Sequence, residues 1–158
     1  VLLRDAVPRA WLTIVGDGPR RRELESLVAT FHIADRVRFL GMQRDLPVHY
    51  QRADILVLPS RWVGFGIAAI EAGACGIPTI ASSVGGLREA VVDGETGILV
   101  PPDDPRILAD AMADLAADRP RRALMGHAAR RHVERHFTIE RVVARHEALY
   151  ESLMRGSS

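Results

Sequence analysis

The stretch DILVLPSRWVGFGIAAIEAGACGIPTIAS, residues 54–82, decides the fold of this chain. Its two ends, 54–60 and 78–82, are short apolar runs typical of buried strands, and the part that begins near Gly66 has the length and composition of a helix. A strand, a helix and a strand in that order predict two parallel strands joined by a right-handed crossover. One carboxylate, Glu71, interrupts the apolar helix. Because an unpaired ionised carboxylate is costly to bury, Glu71 needs a partner or a cleft.

The same alternation continues on both sides of this stretch. We predict further strands at 11–15, 36–41 and 97–100, and helices after Pro19, around 46–52, within 86–94, and near 105–117, 121–136 and 139–154. Short apolar strands separated by helices indicate an α/β fold, with a Rossmann-like, doubly wound, mainly parallel sheet that carries helices on both faces.

Composition and charge narrow the class of protein. The 158 residues are 47% hydrophobic and 26% charged, which is ordinary for a soluble globular domain. The net charge of +1 argues against a dedicated nucleic-acid-binding protein. A single cysteine, Cys75, cannot form an internal disulfide, so we expect a reducing, cytoplasmic compartment. We expect neither a signal peptide nor a membrane span, since no apolar run reaches the roughly 18–20 residues that a bilayer requires.

The loop and helix after the 54–60 strand form the candidate ligand site. In sheets of this type, ligands bind at the carboxyl ends of the strands beside helix N-termini. Gly64 and Gly66 have no Cβ, so a ligand can approach the backbone, and the amides of the first helical turn favour an anion such as a diphosphate. Glu71 lies one turn beyond Ile67, where its carboxylate can accept both hydroxyls of a ribose diol. The alternative is a structural Glu71 that accepts a backbone N–H from a neighbouring loop.

Other candidate motifs favour plainer interpretations. GDGPRR, residues 16–21, has Arg21 where the dinucleotide fingerprint needs its third glycine, so we do not expect NAD or FAD. The Gly85–Gly86 pair is either a second anion-binding nest or, preferably, a tight turn. His132 and His136 lack a clear third ligand, so a solvated helix face is favoured over a metal site. The Arg-rich helix at 121–136 has only a small apolar face for contact with an anionic membrane surface.

Three segments together carry a family resemblance. TIVGDGPRRRELE (13–25), VRFLGM (37–42) and the run from ADILV to PPDDP (53–105) closely resemble the C-terminal domain of family-four retaining glycosyltransferases, which have the two-domain glycosyltransferase-B fold. The resemblance implies a nucleotide-sugar-binding domain at 1–138, truncated at its N-terminus, followed by a C-terminal helix and tail at 139–158. It also implies retaining sugar transfer from a UDP-, GDP- or ADP-sugar to an unknown acceptor, without a metal or other cofactor.

The resemblance also assigns roles to individual residues. The amides of four residues would contact the donor sugar and phosphates: Gly64, Phe65, Gly66 and Ile67. Glu71 matches the second glutamate of the family's Glu-x7-Glu motif and would hold the ribose. Met42 and Arg44 occupy the positions where the base is usually contacted.

Two departures from the family pattern stand out. The first glutamate of the motif is replaced by Val63, which cannot accept a sugar hydroxyl, so a non-catalytic nucleotide-binding or assembly module is the alternative function. The family's first strand, its diphosphate-gripping Arg and Lys, and its acceptor domain have no counterpart here. In the usual strand order the absent strand is central, which leaves unpaired edges at 11–15 and 54–60. We expect the acceptor domain's chain, a second chain or a segment-swapped homodimer to fill them, and the isolated chain to be inactive as a transferase.

Overall fold

The computed structural model describes residues 2–4 and 6–155. In these residues strands and helices alternate in the order β1 (Leu12–Val15), α1 (Arg21–Thr30), β2 (Val37–Gly41), α2 (Leu46–Gln51), β3 (Leu56–Leu58), α3 (Ile67–Ala74), β4 (Thr79–Ser82), α4 (Leu87–Ala90), β5 (Gly97–Val100), α5 (Pro105–Ala117), α6 (Arg119–His136) and α7 (Ile139–Arg155). A short 3₁₀ turn, Ala34–Arg36, precedes β2. Every strand pair is parallel, which confirms the predicted α/β class.

The strands form two sheets. β1 pairs with β2, and a second sheet has the order β3-β4-β5. Among the described residues no ladder joins β1 to β3, so each of these strands has hydrogen-bonding groups along one edge without a strand partner. The interruption falls between the two strands where the sequence analysis expected a strand to be absent. A parallel neighbour for either edge requires a further length of extended chain.

The hydrophobic core is built on the β3-β4-β5 sheet. All of β4 is buried, and its neighbours Ile80 and Ala81 point to opposite faces, as alternation along a strand requires. Ile80 packs with residues of β5, α5 and α6, whereas Ala81 packs with residues of α3 and α4. Helices therefore cover both faces of this sheet. By contrast, no position of β1, α1 or β2 is buried.

The long C-terminal helices differ in how they use their apolar faces. α6 packs closely on α3, since a Cβ added to Gly73 would lie 3.0 Å from Val133 Cγ2. Met125, Ala128 and Ala129 of α6 are buried, whereas Leu124 is 71% exposed. α7 has no buried residue, and its apolar stripe is exposed. Across residues 2–4 and 6–155, none of the helices combines the length and the apolar character that crossing a membrane requires.

The bounds of β3 and α4 differ most from the prediction, and those of the other elements differ by at most two residues. β3 begins at Leu56, two residues later than the 54–60 run, and it ends at Leu58 because Pro59, which follows it, has no N–H for the ladder. The helix within 86–94 ends at Ala90 rather than at Gly94, since Val91 is extended. The Thr96 hydroxyl accepts the Val92 N–H at 2.8 Å and thereby fixes a turn in place of a further helical turn.

The two sheets should differ in the rate at which their backbone amides exchange hydrogen with solvent. β4 is buried and paired on both sides, whereas β1 is exposed and paired on one side, so β4 amides should exchange roughly 100-fold or more slowly than β1 amides. Exchange followed by mass spectrometry or NMR on the 158-residue chain measures this directly. Equal protection of the two strands in a monomeric sample would contradict the structure.

Candidate functional site

The turn that opens α3 is fixed by the backbone of Gly66. Gly66 has φ +86° at the N-cap, a left-handed conformation that favours glycine. A Cβ there would lie 3.0 Å from Leu87 Cδ2, so the glycine also lets α3 pack closely on α4. At Gly64 the nearest atom to an added Cβ is Trp62 Cη2 at 4.0 Å. The sequence analysis expected a ligand to approach the backbone at both glycines. In the structure the space that a Cβ would fill is open at Gly64, whereas at Gly66 it is taken up by α4.

The Gly85–Gly86 pair supports the loop that leads into α3. A Cβ on Gly85 would lie 2.0 Å from the Val63 carbonyl oxygen, and a Cβ on Gly86 would lie 2.5 Å from Phe65 Cα. The Gly86 N–H also donates to the Gly64 carbonyl at 3.2 Å. The pair is therefore a tight turn packed backbone to backbone against residues 63–65.

The N-terminus of α3 has no side-chain cap among the described residues. In α5, by contrast, the Asp104 carboxylate accepts the N–H groups of Arg106 and Ile107, each at 3.0 Å. The first turn of α3 contains no acidic residue either, so nothing in it offsets the positive end of the helix dipole. Free amides and a positive dipole end together favour an anion at this position.

The partner of Glu71 is Tyr50, which the sequence analysis did not identify. The Tyr50 hydroxyl on α2 donates to Glu71 Oε2 at 2.9 Å, and both side chains are half-buried. The partner is thus a side chain of another helix, not the backbone N–H that the structural alternative expected. Burial, with the hydrogen bond to Glu71 and its negative charge, raises the pKa of the Tyr50 phenol. The phenol therefore stays protonated and remains a donor well above neutral pH.

Val63, at the position of the missing glutamate, belongs to the core. Its half-buried side chain packs against the cluster that contains Ala69, Ala81 and Leu87. Its carbonyl oxygen lies directly against the Gly85 backbone. An apolar side chain fits this environment.

Of the remaining predicted site residues, Ile67 is 62% exposed at the first position of α3, and the other three lie on exposed loops. Phe65 is 48% exposed and makes an edge-to-face contact with Phe137, with ring centroids 6.0 Å apart. Met42, which is 77% exposed, and Arg44 lie on the segment between β2 and α2. That segment leads directly into the helix that carries Tyr50, so the predicted base-contacting residues and the partner of Glu71 share one stretch of chain.

The histidine pair lies in a cationic pocket apart from Glu71. A concave pocket of about 260 Å³ is lined by Glu95, Ala128, Arg131, His132, Arg135 and His136. His132 is half-buried against Phe137, with ring centroids 5.4 Å apart, so this helix face is not fully solvated as the sequence analysis favoured. Over the described part of the chain, no three His, Cys, Asp or Glu side chains are grouped as metal ligands would be.

The glycine turn gives a direct test of the loop geometry. Gly86→Ala should destabilise the chain by about 1–3 kcal/mol, because the new methyl group meets backbone atoms that cannot rotate away. Urea unfolding measures the difference, and Gly18→Ala is the matched control, since nothing lies within 4 Å of a Cβ at that position. If both variants unfolded at the same urea concentration, the close approach of the two loops would be wrong.

Comparisons with known proteins agree on one family. The family model described as "Glycosyl transferases group 1" matches residues 1–132. The lipopolysaccharide core biosynthesis mannosyltransferase LpsB of Rhizobium meliloti is 39% identical over 135 residues, which is 84% of this chain and 38% of that protein. This chain thus spans about two fifths of the length of that relative.

Two solved structures extend the comparison to the fold. HepE from Anabaena, solved in complex with UDP, has a TM-score of 0.84 and 27% identity, and the match covers 98% of this chain and 44% of that one. The C-terminal domain of the group 1 glycosyl transferase LpcC from Francisella tularensis has a TM-score of 0.79 and 28% identity, with 87% of this chain and 75% of that one covered. The arrangement of strands and helices is therefore the one found in these proteins.

Proposed function

Because the chain belongs to the group 1 glycosyl transferases, we propose that it binds a nucleotide-sugar donor and forms the donor-binding part of a retaining sugar transferase. The observation that carries the proposal is the half-buried Glu71 carboxylate, one turn beyond the uncapped N-terminus of α3. An anion-favouring helix end and a hydroxyl acceptor on the same helix match the two polar parts of a nucleoside diphosphate. The UDP bound to HepE, whose fold this chain shares, supports this class of ligand.

Different residues would bind different parts of the nucleotide-sugar donor. The amides from Gly64 to Ile67 would bind the diphosphate and the sugar, and Glu71 would accept the ribose hydroxyls. Met42 and Arg44 would contact the base, which we expect to be that of UDP, GDP or ADP. No metal or other cofactor is part of the proposal, and we place the reaction in the cytoplasm.

The unpaired edges of β1 and β3 indicate that a further segment of chain pairs with them. LpsB and HepE are more than twice as long as the part that this chain matches. We propose that extended chain from outside residues 1–158 completes the sheet between β1 and β3. This segment belongs either to a chain that carries the acceptor domain or to a second copy of this chain in a segment-swapped homodimer.

Binding calorimetry tests the role of Glu71. We expect one or more of UDP, GDP and ADP to bind, and Glu71→Ala to weaken that binding about 10-fold or more, because hydrogen bonds to a charged group are lost. Glu89→Ala, which removes an exposed carboxylate on α4, is the matched control. Equal binding by the parent chain and Glu71→Ala would remove Glu71 from the site, and no binding of any of the three would overturn the proposed function.

A second candidate function is a non-catalytic nucleotide-binding or assembly module. The observation that favours it is Val63, whose side chain packs into the core at the position where the family motif has a glutamate. Such a module would keep the Glu71 site and bind nucleotide without transferring a sugar.

Restoring the motif glutamate separates the two candidates. In a protein that carries an acceptor domain, Val63→Glu should raise donor-dependent sugar transfer about 10²–10³-fold if the site is catalytic, by analogy with restoring one group that stabilises transition-state charge. Val63→Gln, of similar size and without charge, is the control, and the circular dichroism spectrum of each variant checks that it is folded. No gain in transfer by folded Val63→Glu would favour the non-catalytic module.

A further inference from the structure

The hydrogen bond between Tyr50 and Glu71 joins two helices that are distant in sequence. Tyr50 lies on α2 and Glu71 on α3, and their oxygen atoms are 2.9 Å apart. Both side chains are half-buried. The contact thus lies at the boundary between the protein interior and solvent.

The bond engages one oxygen of the carboxylate. A carboxylate has two oxygens with about four acceptor sites in total, and the Tyr50 hydroxyl occupies one of them on Oε2. About three acceptor sites remain, two on Oε1 and one on Oε2. They are sufficient for the two hydroxyls of a ribose 2′,3′-diol.

The bond also restricts the motion of Glu71. A glutamate on a half-exposed helix face has several rotamers. A ligand that binds only one of them has a lower affinity, because the side chain loses conformational entropy on binding. A donor held on another helix selects the rotamer before the ligand arrives. Because burial and Glu71 both raise the pKa of Tyr50, the hydroxyl stays protonated and remains a donor at neutral pH.

We propose that Tyr50 is a positioning residue for ribose recognition: its hydroxyl holds the Glu71 carboxylate in the orientation that accepts the diol of the nucleotide. Tyr50 acts through Glu71 and does not touch the nucleotide. This inference rests on the proposed function, and it adds a residue that neither the glycine loop nor the glutamate motif contains.

A merely structural bond between α2 and α3 makes a different prediction. Its loss would lower the stability of the chain and weaken every ligand of the site to the same degree. A positioning role affects only those ligands that have a ribose diol, and only while Glu71 is present. The distinction therefore requires a change in the ligand as well as a change in the protein.

The experiment is a double-mutant cycle measured by calorimetry with UDP, GDP and ADP, and with the 2′,3′-dideoxy form of whichever of them binds most tightly. Tyr50→Phe should weaken the hydroxylated nucleotide roughly 5–10-fold, the effect of one hydrogen bond. It should change binding of the dideoxy nucleotide less than about twofold, and have equally little effect in a Glu71→Gln background. Tyr150→Phe, on the exposed face of α7, is the matched control.

The other outcomes contradict the positioning role of Tyr50, and they show whether the proposed function fails as well. Equal weakening of both nucleotides by Tyr50→Phe would make the bond structural, and an unchanged affinity for both would make it irrelevant to binding. In either case the proposed function stands if Glu71→Gln still weakens the hydroxylated nucleotide selectively. If the parent chain binds none of the three nucleotides, the proposed function fails and this inference fails with it.

Discussion

An apolar helix can carry a half-buried carboxylate only where a hydrogen-bond donor meets its charge, and here the Tyr50 hydroxyl is that donor. The bond ties α2 to α3 and fixes the side chain on which the candidate site depends. It also explains why a glutamate persists among isoleucine, alanine and glycine. The site is thus supported from two directions: α3 presents Glu71 and its own N-terminus, and α2 orients the carboxylate.

Backbone packing provides the second support for the site. The Gly85–Gly86 turn and the loop at 63–65 approach so closely that neither glycine has room for a Cβ. This contact packs the loop that leads into α3 against the turn that precedes α4. It also lies beside Val63, whose side chain packs against the core and so suits an apolar residue.

The sequence predicted the elements well and the contacts between them less well. Local patterns identified β5 and α5 with their observed bounds, because an apolar run and a Pro after a capping Asp act over a few residues. The family resemblance agrees with the family model that matches residues 1–132. The roles of Met42, Arg44 and the amides of 64–67 stay predictions, because they depend on a ligand.

What the sequence analysis missed depends on distant residues. Tyr50 is 21 residues from Glu71, and only the packing of α2 on α3 brings them together. The sequence feature that could have indicated the pair is the tyrosine of α2, a helix that precedes the helix with the unpartnered carboxylate by one strand. The end of α4 was misplaced because Thr96, beyond it, fixes the turn. The gap between β1 and β3, by contrast, lies where the sequence analysis expected a strand to be absent.

The central claim is that Glu71 reaches a bound ribose. A crystal structure of the chain with UDP tests it most directly, through the distances from the Glu71 carboxylate oxygens to the ribose hydroxyls. The account predicts that both hydroxyls lie within about 3.2 Å of those oxygens, with the Tyr50 bond retained. A bound UDP whose ribose is turned away from Glu71, while the carboxylate contacts only protein, would contradict it.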